Sequence, residues 1–325
     1  MPLCLVVAKN YAECVLARVR KAGLLDEDYV ITRTNSEVYI PIKTSELASL
    51  IESCTENYRI ESCNLPVRKR TEGIDVPSFD IVDNVVIIRE NALRDRDVNE
   101  VVENIRKIHP KVRAIWVKKE TRDLFRIPVL ELLWGKEVRD VIAKEYGLLF
   151  KVKLGYVYFN PRLAEEHNRL ASKVAPFEVV IDVFCGIGGF AIHIAARKHS
   201  LVVANDANPA AYELLLENIA LNKKKLRGTV IPLNNDARDL PGILMEESAD
   251  RIIADFPSGS MEFIDVYEAL LKRGGMLHLY ILAESSENAS VAIKDKLKHW
   301  RLIACQRVLE YSPRLSVYRC DVIKP

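Results

Sequence analysis

The sequence predicts an α/β protein whose second half is a doubly wound, largely parallel sheet closed by an antiparallel hairpin. From Pro176 onward, short continuous apolar runs alternate with helical segments, the pattern of strands buried on both faces. The last two runs are separated only by Tyr311-Ser312-Pro313-Arg314, too short for a crossover helix. In order, residues 179–184, 201–205, 229–232, 251–254 and 276–282 read as strands. Residues 188–197, 209–221 and 261–271 read as helices, and 301–310 with 315–323 as the antiparallel pair.

Length and composition fit that reading. At ~150 residues per domain, 325 residues make about two domains. The 49% hydrophobic and 28% charged residues exclude a disordered, collagen-like or coiled-coil chain. No apolar run nears the ~18 residues of a membrane span, and residues 1–9 carry no secretory signal, so a soluble, cytoplasmic protein without membrane contact is expected. Seven cysteines without a C-x-x-C pair argue against a metal site, and more strongly against a disulfide framework. A net charge of +2 announces no nucleic-acid binding, so any such surface must be local.

The first half divides further. Residues 12–22 have a helical apolar rhythm ended by Gly23, and 29–31 and 37–42 read as short strands. The charged run 68–73 reads as a linker, giving a small α/β domain over 1–72. A middle α+β region, 73–157, holds strands at 85–88, 114–117 and 150–159 and a helix at 98–108; 124–146 has no clear period. The third region, 158–325, holds the alternating half.

The turn after the first strand of the parallel sheet reads Asp182-Val-Phe184-Cys-Gly186-Ile-Gly188-Gly189-Phe-Ala191. Its glycines allow the backbone to approach a ligand, and Asp206, at the next strand end, suits ribose hydroxyls. A dinucleotide is one reading. Asp182 favours S-adenosylmethionine, because a carboxylate there suits a cationic amino acid and repels a diphosphate. Asp236-Ala237, after the third strand, is placed to read an adenine edge, and Phe184 completes the expected cofactor set. Cys185 lacks a neighbouring base or cation and reads as a buried thiol. The fourth strand ends in Asp255-Phe256-Pro257, a rigid loop that either aims a carboxylate at a planar substrate or only caps the next helix. Upstream, Tyr158-Phe159-Asn160-Pro161-Arg162-Leu163-Ala164-Glu165-Glu166-His167-Asn168-Arg169 predicts an Asn160-capped helix start with Pro161 in its first turn.

That stretch, together with residues 182–190, 206–209 and 255–257, resembles the archaeal/eukaryotic-type tRNA (guanine-37-N1)-methyltransferase family. Leu24-Leu25-Asp26-Glu27-Asp28-Tyr29, Val38-Tyr39-Ile40-Pro41, Ser78-Phe79-Asp80-Ile81-Val82 and Arg273-Gly274-Gly275 extend the likeness over nearly the whole chain. The resemblance implies a class I, Rossmann-like methyltransferase fold and a monomer that moves the methyl group of S-adenosylmethionine to N1 of the guanosine 3′ of the anticodon. It makes Glu166 the general base and Arg126 the cation at guanine O6, and lines the substrate pocket with Tyr158, Asn160, Pro161, Arg162 and Pro257. The tRNA would be met at its anticodon stem-loop and, through residues 1–72, at its elbow. Lys223-Lys224-Lys225-Leu226-Arg227, Arg68-Lys69-Arg70 and Lys118-Lys119 are candidate phosphate contacts. Two positions depart from the family: His167 stands where an arginine is usual, and Asp255 where an asparagine is usual. A tRNA aminocarboxypropyltransferase of the wybutosine pathway and a catalytically silent tRNA-binding protein are the competing readings, with a NAD-dependent oxidoreductase behind them.

Overall fold

A computed structural model of the chain describes residues 2–34, 36–67, 74–122, 125–312 and 314–325. The expected linker 68–73, with its basic run Arg68-Lys69-Arg70, lies outside the described residues, as does Pro313 of the hairpin turn. The chain forms two compact units, Met1–Ile74 and Asp75–Pro325.

The first unit contains β1 (Leu3–Ala8), α1 (Ala12–Lys21), β2 (Thr32–Arg33), β3 (Glu37–Ile42), α2 (Ala48–Ile51) and β4 (Tyr58–Ser62) in an antiparallel sheet of order β2-β3-β1-β4. The central strand β1 buries both faces. Leu5 and Val7 pack with Val15 and Val19 of α1, while Cys4 and Val6 meet Cys63 and Leu65. The strand expected at 29–31 is instead Thr32–Arg33, and Tyr29 makes only an isolated bridge to Val67.

The second unit opens with β5 (Phe79–Val82), β6 (Val85–Arg89), α3 (Val98–Ile108), β7 (Ala114–Arg122) and β8 (Ile127–Gly135), in the sheet order β5-β6-β7-β8. Asp97 caps α3, accepting from the Asn99 amide at 2.8 Å. A hairpin, β9 (Asp140–Glu145) and β10 (Leu148–Lys153), turns at Tyr146-Gly147, both with positive φ. Two of these strands, β8 and β9, occupy the stretch 124–146 whose period was unclear.

After α4 (Ala164–Lys173) comes the alternating half: β11 (Val179–Asp182), α5 (Gly189–Arg197), β12 (Leu201–Asn205), α6 (Pro209–Asn222), β13 (Thr229–Leu233), α7 (Leu240–Ile243), β14 (Ala249–Ala254), α8 (Ile264–Leu270), β15 (Leu271–Ala283), α9 (Ser286–Lys296), β16 (Arg301–Glu310) and β17 (Ser316–Ile323). The sheet runs β13-β12-β11-β14-β15-β17-β16. Its first five strands are parallel, and β17 inserts antiparallel between β15 and β16. Strand order reverses between β11 and β14, which opens a crevice at their carboxyl ends.

Two asparagines join the β9–β10 hairpin to this core. Asn218 and Asn222, one turn apart on α6, use their amides as a strand edge. Asn222 accepts from the Leu149 amide at 3.0 Å and donates to the Leu149 carbonyl at 2.7 Å; Asn218 does the same at Lys151, at 2.6 and 3.2 Å.

The absence of disulfides expected from the sequence is corrected. Cys14 and Cys54 are bonded 40 residues apart, and Cys305 bonds Cys320 directly opposite it on β17. Pairings set by strand register and helix packing leave no spacing signature.

Candidate active site

The glycine turn between β11 and α5 is shaped by packing as much as by any ligand. Gly188 has φ +96° and caps α5; a Cβ there would come 2.6 Å from Leu215 of α6. A Cβ on Gly189 would meet the His167 ring at 2.5 Å. Gly186 faces open space and lines a cavity of about 450 Å³. This cavity lies at the strand ends and is within the range of small-molecule sites.

Of the expected cofactor residues, Phe184, Gly186, Asp206, Asp236 and Ala237 line the cavity; Gly188 and Asp182 do not. Asp206 braces the turn, accepting from the Gly186 amide at 2.7 Å and the Asn208 amide at 2.9 Å. Asp236 accepts from the Arg238 amide at 2.9 Å. Asp182 is fully buried and neither of its carboxylate oxygens has a hydrogen-bond partner. Burial, then the charges of Asp255 and Asp206, push its carboxyl well above the usual range. Burial also raises Asp206 against the two amides that favour its charge. Two carboxylates, Asp206 and Asp255, thus line the cavity, with the buried Asp182 behind its wall. That field suits a cationic ligand and opposes a diphosphate, so the residues fit S-adenosylmethionine better than NAD.

Phe184, Phe256 and Phe263 form the apolar wall, with Phe184 centred 5.2 Å from Phe256 and 5.1 Å from Phe263. Only Phe184 was assigned to the cofactor from the sequence; Phe256 lies in the Asp255-Phe256-Pro257 loop, where attention falls on the carboxylate and the proline, and Phe263 falls in the segment expected to be a helix. Cys185 is buried and its thiol is pushed far up by desolvation, in accord with an inert reading.

A groove of about 740 Å³ adjoins the cavity, and Arg126, Tyr158 and Asp255 line both. Arg126 occupies the left-handed region at φ 55°, with its guanidinium 4.7 Å from the Tyr158 ring centre and 5.6 Å from that of Tyr311. The groove continues along Arg89, Arg94, Lys118 and Lys119, past Asn160 and Pro257. Lys118 is held below its usual pKa by burial, then by the charges of Arg89 and Arg126. Among the three basic runs, Lys118-Lys119 alone borders the groove; 223–227 does not, and Arg68-Lys69-Arg70 is outside the described residues.

The expected helix start is present: Asn160 accepts from the Arg162 amide at 3.1 Å and Pro161 begins a 3₁₀ turn before α4. Pro161 lines a small neighbouring cavity, whereas Arg162 turns away to pair with Asp80 at 2.7 Å.

Glu166 and Asp255 have opposite surroundings. Glu166 is buried, and its Oε1 accepts from Arg319 Nη1 at 2.5 Å and the Tyr280 hydroxyl at 2.8 Å. Its Oε2 accepts from Arg169 Nε at 2.9 Å and Nη2 at 2.5 Å. Arg319 continues to Asp321, His278 and Arg251 in a polar line across the sheet. Glu166 lines neither the cavity nor the groove. Asp255 lines both and makes no hydrogen bond among the described residues; burial pushes its pKa up to about 6, against the charges of His167 and Arg126.

Behind Asp255, His167 Nδ1 and His193 Nε2 lie 2.8 and 3.1 Å from the same Glu145 oxygen. The three donor sets are within 4.8 Å of one another, but these hydrogen bonds account for the cluster without an ion. Burial raises the Glu145 pKa, yet the two imidazole hydrogen bonds outweigh it and hold the group down at about 2.

A switch-point sheet with a cation-suited cavity beside a base-lined groove defines a class I, S-adenosylmethionine-dependent methyltransferase. Residues 141–307 match the TRM5/TYW2 methyltransferase domain, and residues 4–47 the tRNA methyltransferase 5 N-terminal domain. The tRNA (guanine(37)-N(1))-methyltransferase Trm5b of Methanocaldococcus jannaschii is 31% identical, over 99% of this chain and 98% of its own. A tRNA(Phe) (4-demethylwyosine(37)-C(7)) aminocarboxypropyltransferase of the same organism is 34% identical, over 61% of this chain and 76% of its own. The solved complex of aTrm5 and tRNALeu superposes with a TM-score of 0.68 and 27% identity, covering 100% of both chains. The chain belongs to the TRM5/TYW2 methyltransferase family.

Proposed function

We propose that this enzyme methylates N1 of guanosine 37 in tRNA, the position 3′ of the anticodon. The observation that carries the proposal is the shared wall: Arg126, Tyr158 and Asp255 face both the cofactor cavity and a groove rich in lysine and arginine. A reacting atom on that wall is in reach of both.

The family's cofactor, S-adenosylmethionine, supplies an electrophilic methyl group on a sulfonium sulfur. Asp206 is placed to hold its ribose hydroxyls, Asp236 and Ala237 its adenine edge, and Phe184 with Gly186 its body, while Asp182 favours its positive charge from behind. Guanine N1 is protonated at neutral pH, so its lone pair becomes available only as a base removes the proton. Negative charge then grows on O6, which Arg126, fixed between Tyr158 and Tyr311, is placed to stabilise. Tyr158, Asn160 and Pro257 wall the groove where a base withdrawn from its stack would sit. Pro161 lines the small cavity next to it, and Arg162 supports the turn through Asp80. Resemblance gives residues 1–72 to the tRNA elbow and makes the enzyme a cytoplasmic monomer.

The test uses a tRNA transcript with guanosine at position 37, an adenosine-37 control, and cofactor labelled on either the methyl or the carboxyl carbon. Methyl label entering only the guanosine-37 tRNA is the expected result. Carboxyl label in a pre-modified tRNA makes the protein an aminocarboxypropyltransferase, and tRNA binding without transfer makes it a binding protein.

A further inference from the structure

We infer that Asp255, not Glu166, is the base that takes the proton from guanine N1 in this enzyme. The inference rests on the proposed reaction and assigns its proton acceptor from cavity geometry and hydrogen-bond capacity.

A carboxylate offers about four acceptor positions. Glu166 spends two on each oxygen: Arg319 and Tyr280 at Oε1, and both Nε and Nη2 of Arg169 at Oε2. No position remains for an N1–H donor. Glu166 also borders none of the site's spaces: the cofactor cavity, the groove, or the 60 Å³ cavity behind them. A base must come within hydrogen-bond reach of the proton it removes, and this arrangement holds Glu166 away. Its role is to anchor α4 to β15 and β17, where Tyr280 and Arg319 stand.

Asp255 has the opposite properties. It lines all three spaces, and its carboxylate makes no hydrogen bond among the described residues. Its neighbours bracket the charge it must gain and lose. Arg126 faces it from the β7–β8 turn, Tyr158 from the segment after β10, and His167 and Glu166 from α4. Asp182 faces it from β11 and Tyr280 from β15. Arg126 and His167 favour the carboxylate, while Glu166 and burial favour the acid, which leaves its pKa near 6. A base of that strength is ionised at neutral pH and still accepts a proton during reaction. An asparagine here offers no such acceptor; the aspartate relocates the base to the wall that both substrates touch.

The step balances. The N1–H bond breaks as Asp255 takes the proton, and the N1 pair forms a bond to the methyl carbon. The carbon–sulfur bond breaks with its electrons going to sulfur, leaving a neutral thioether, an N1-methylated guanine and protonated Asp255, which returns the proton to solvent after release.

Asp255→Asn keeps the side-chain shape and Glu166→Gln removes the other carboxylate. Single-turnover methyl transfer to the guanosine-37 transcript is followed from pH 5 to 8 for both variants and the parent, with cofactor and tRNA affinities measured directly. The parent rate should rise with pH on a one-proton limb centred near 6. Asp255→Asn should lose that limb and roughly 10²–10⁴-fold in rate while both affinities hold; Glu166→Gln should keep the limb. Difference infrared titration of the free protein, parent minus Asp255→Asn, should show one carboxyl losing its proton over the same range. Loss of the limb in Glu166→Gln with Asp255→Asn within a few-fold of the parent overturns the assignment, as does an Asp255 carboxyl ionised throughout. A parent that leaves guanosine 37 unmethylated overturns the reaction itself, a failure distinct from either variant result.

Discussion

Arg319 Nη1 lies 2.5 Å from Oε1 of Glu166, and neither side chain is more than 4% exposed. Arg319 also pairs with Asp321 through Nε at 2.7 Å, so Glu166 closes a buried network rather than a solvent-facing pair. Glu166→Gln leaves part of the Arg319 charge unmatched. It should lower stability by about 3 kcal/mol, the low end for a broken buried pair because Asp321 remains. Urea unfolding at neutral pH measures it; a change within experimental error contradicts the structural role.

Asp255 should cost the fold stability at working pH. Its folded pKa, raised by burial from 3.8 to about 6, means that the folded state holds the proton more tightly than the unfolded chain. The cost is absent below about pH 3, where both states are protonated, builds between about pH 4 and 6 because the unfolded chain ionises first, and is complete once the pH has risen through 6. Asp255→Asn should therefore raise the melting temperature at pH 8, by the equivalent of up to about 3 kcal/mol, and leave it nearly unchanged at about pH 3. A gain that is equal at both pH values contradicts the assignment.

Arg126 acts through position as well as charge, because its guanidinium stacks on Tyr158 and approaches Tyr311. Lysine keeps the charge and loses the planar stack. Arg126→Lys should reduce kcat/KM roughly 10²–10³-fold, as for loss of one oxyanion donor, with cofactor affinity unchanged. Steady-state kinetics and calorimetry together check both halves.

Lys118, in the groove beside Arg89 and Arg126, is in surplus positive charge. Lys118→Ala should weaken tRNA binding and lower the slope of log affinity against log salt by about one. An unchanged slope removes Lys118 from the RNA contact.

Asn218 and Asn222 hold the amides of Leu149 and Lys151 against α6. Either alanine variant strands a partly buried donor and should cost about 1 kcal/mol. Hydrogen exchange should quicken at Leu149 in Asn222→Ala and at Lys151 in Asn218→Ala, and not the reverse.

Much of the fold was legible because parallel strands announce themselves. Val179–Ile181, Leu201–Ala204 and Ile252–Ala254, within β11, β12 and β14, are unbroken apolar runs, since both faces of these strands are largely covered. β8 and β9 were not: their faces are half exposed and carry glutamate, lysine and tryptophan between the apolar positions. Helix α9 was missed because it buries only Ala289 and Ile293. In the site, residues tied to a strand end or glycine turn were visible, such as Phe184, Gly186 and Asp206. Phe256, Phe263 and Tyr311 were not, because their relation to the cavity depends on loops meeting from distant segments. Asp182 stood at the expected place in the chain, yet burial puts it behind the cavity wall, a difference no spacing reveals. The fourfold occupation of Glu166 likewise depends on Tyr280 and Arg319, more than a hundred residues downstream.

The most direct measurement is the identity of the modified nucleoside. A guanosine-37 transcript is incubated with the protein and S-adenosylmethionine, digested completely, and its nucleosides are separated and weighed by mass spectrometry. The account predicts one new product, 1-methylguanosine, absent when position 37 is adenosine. Methylation at another guanine atom, at another position, or equally on the adenosine-37 transcript contradicts it.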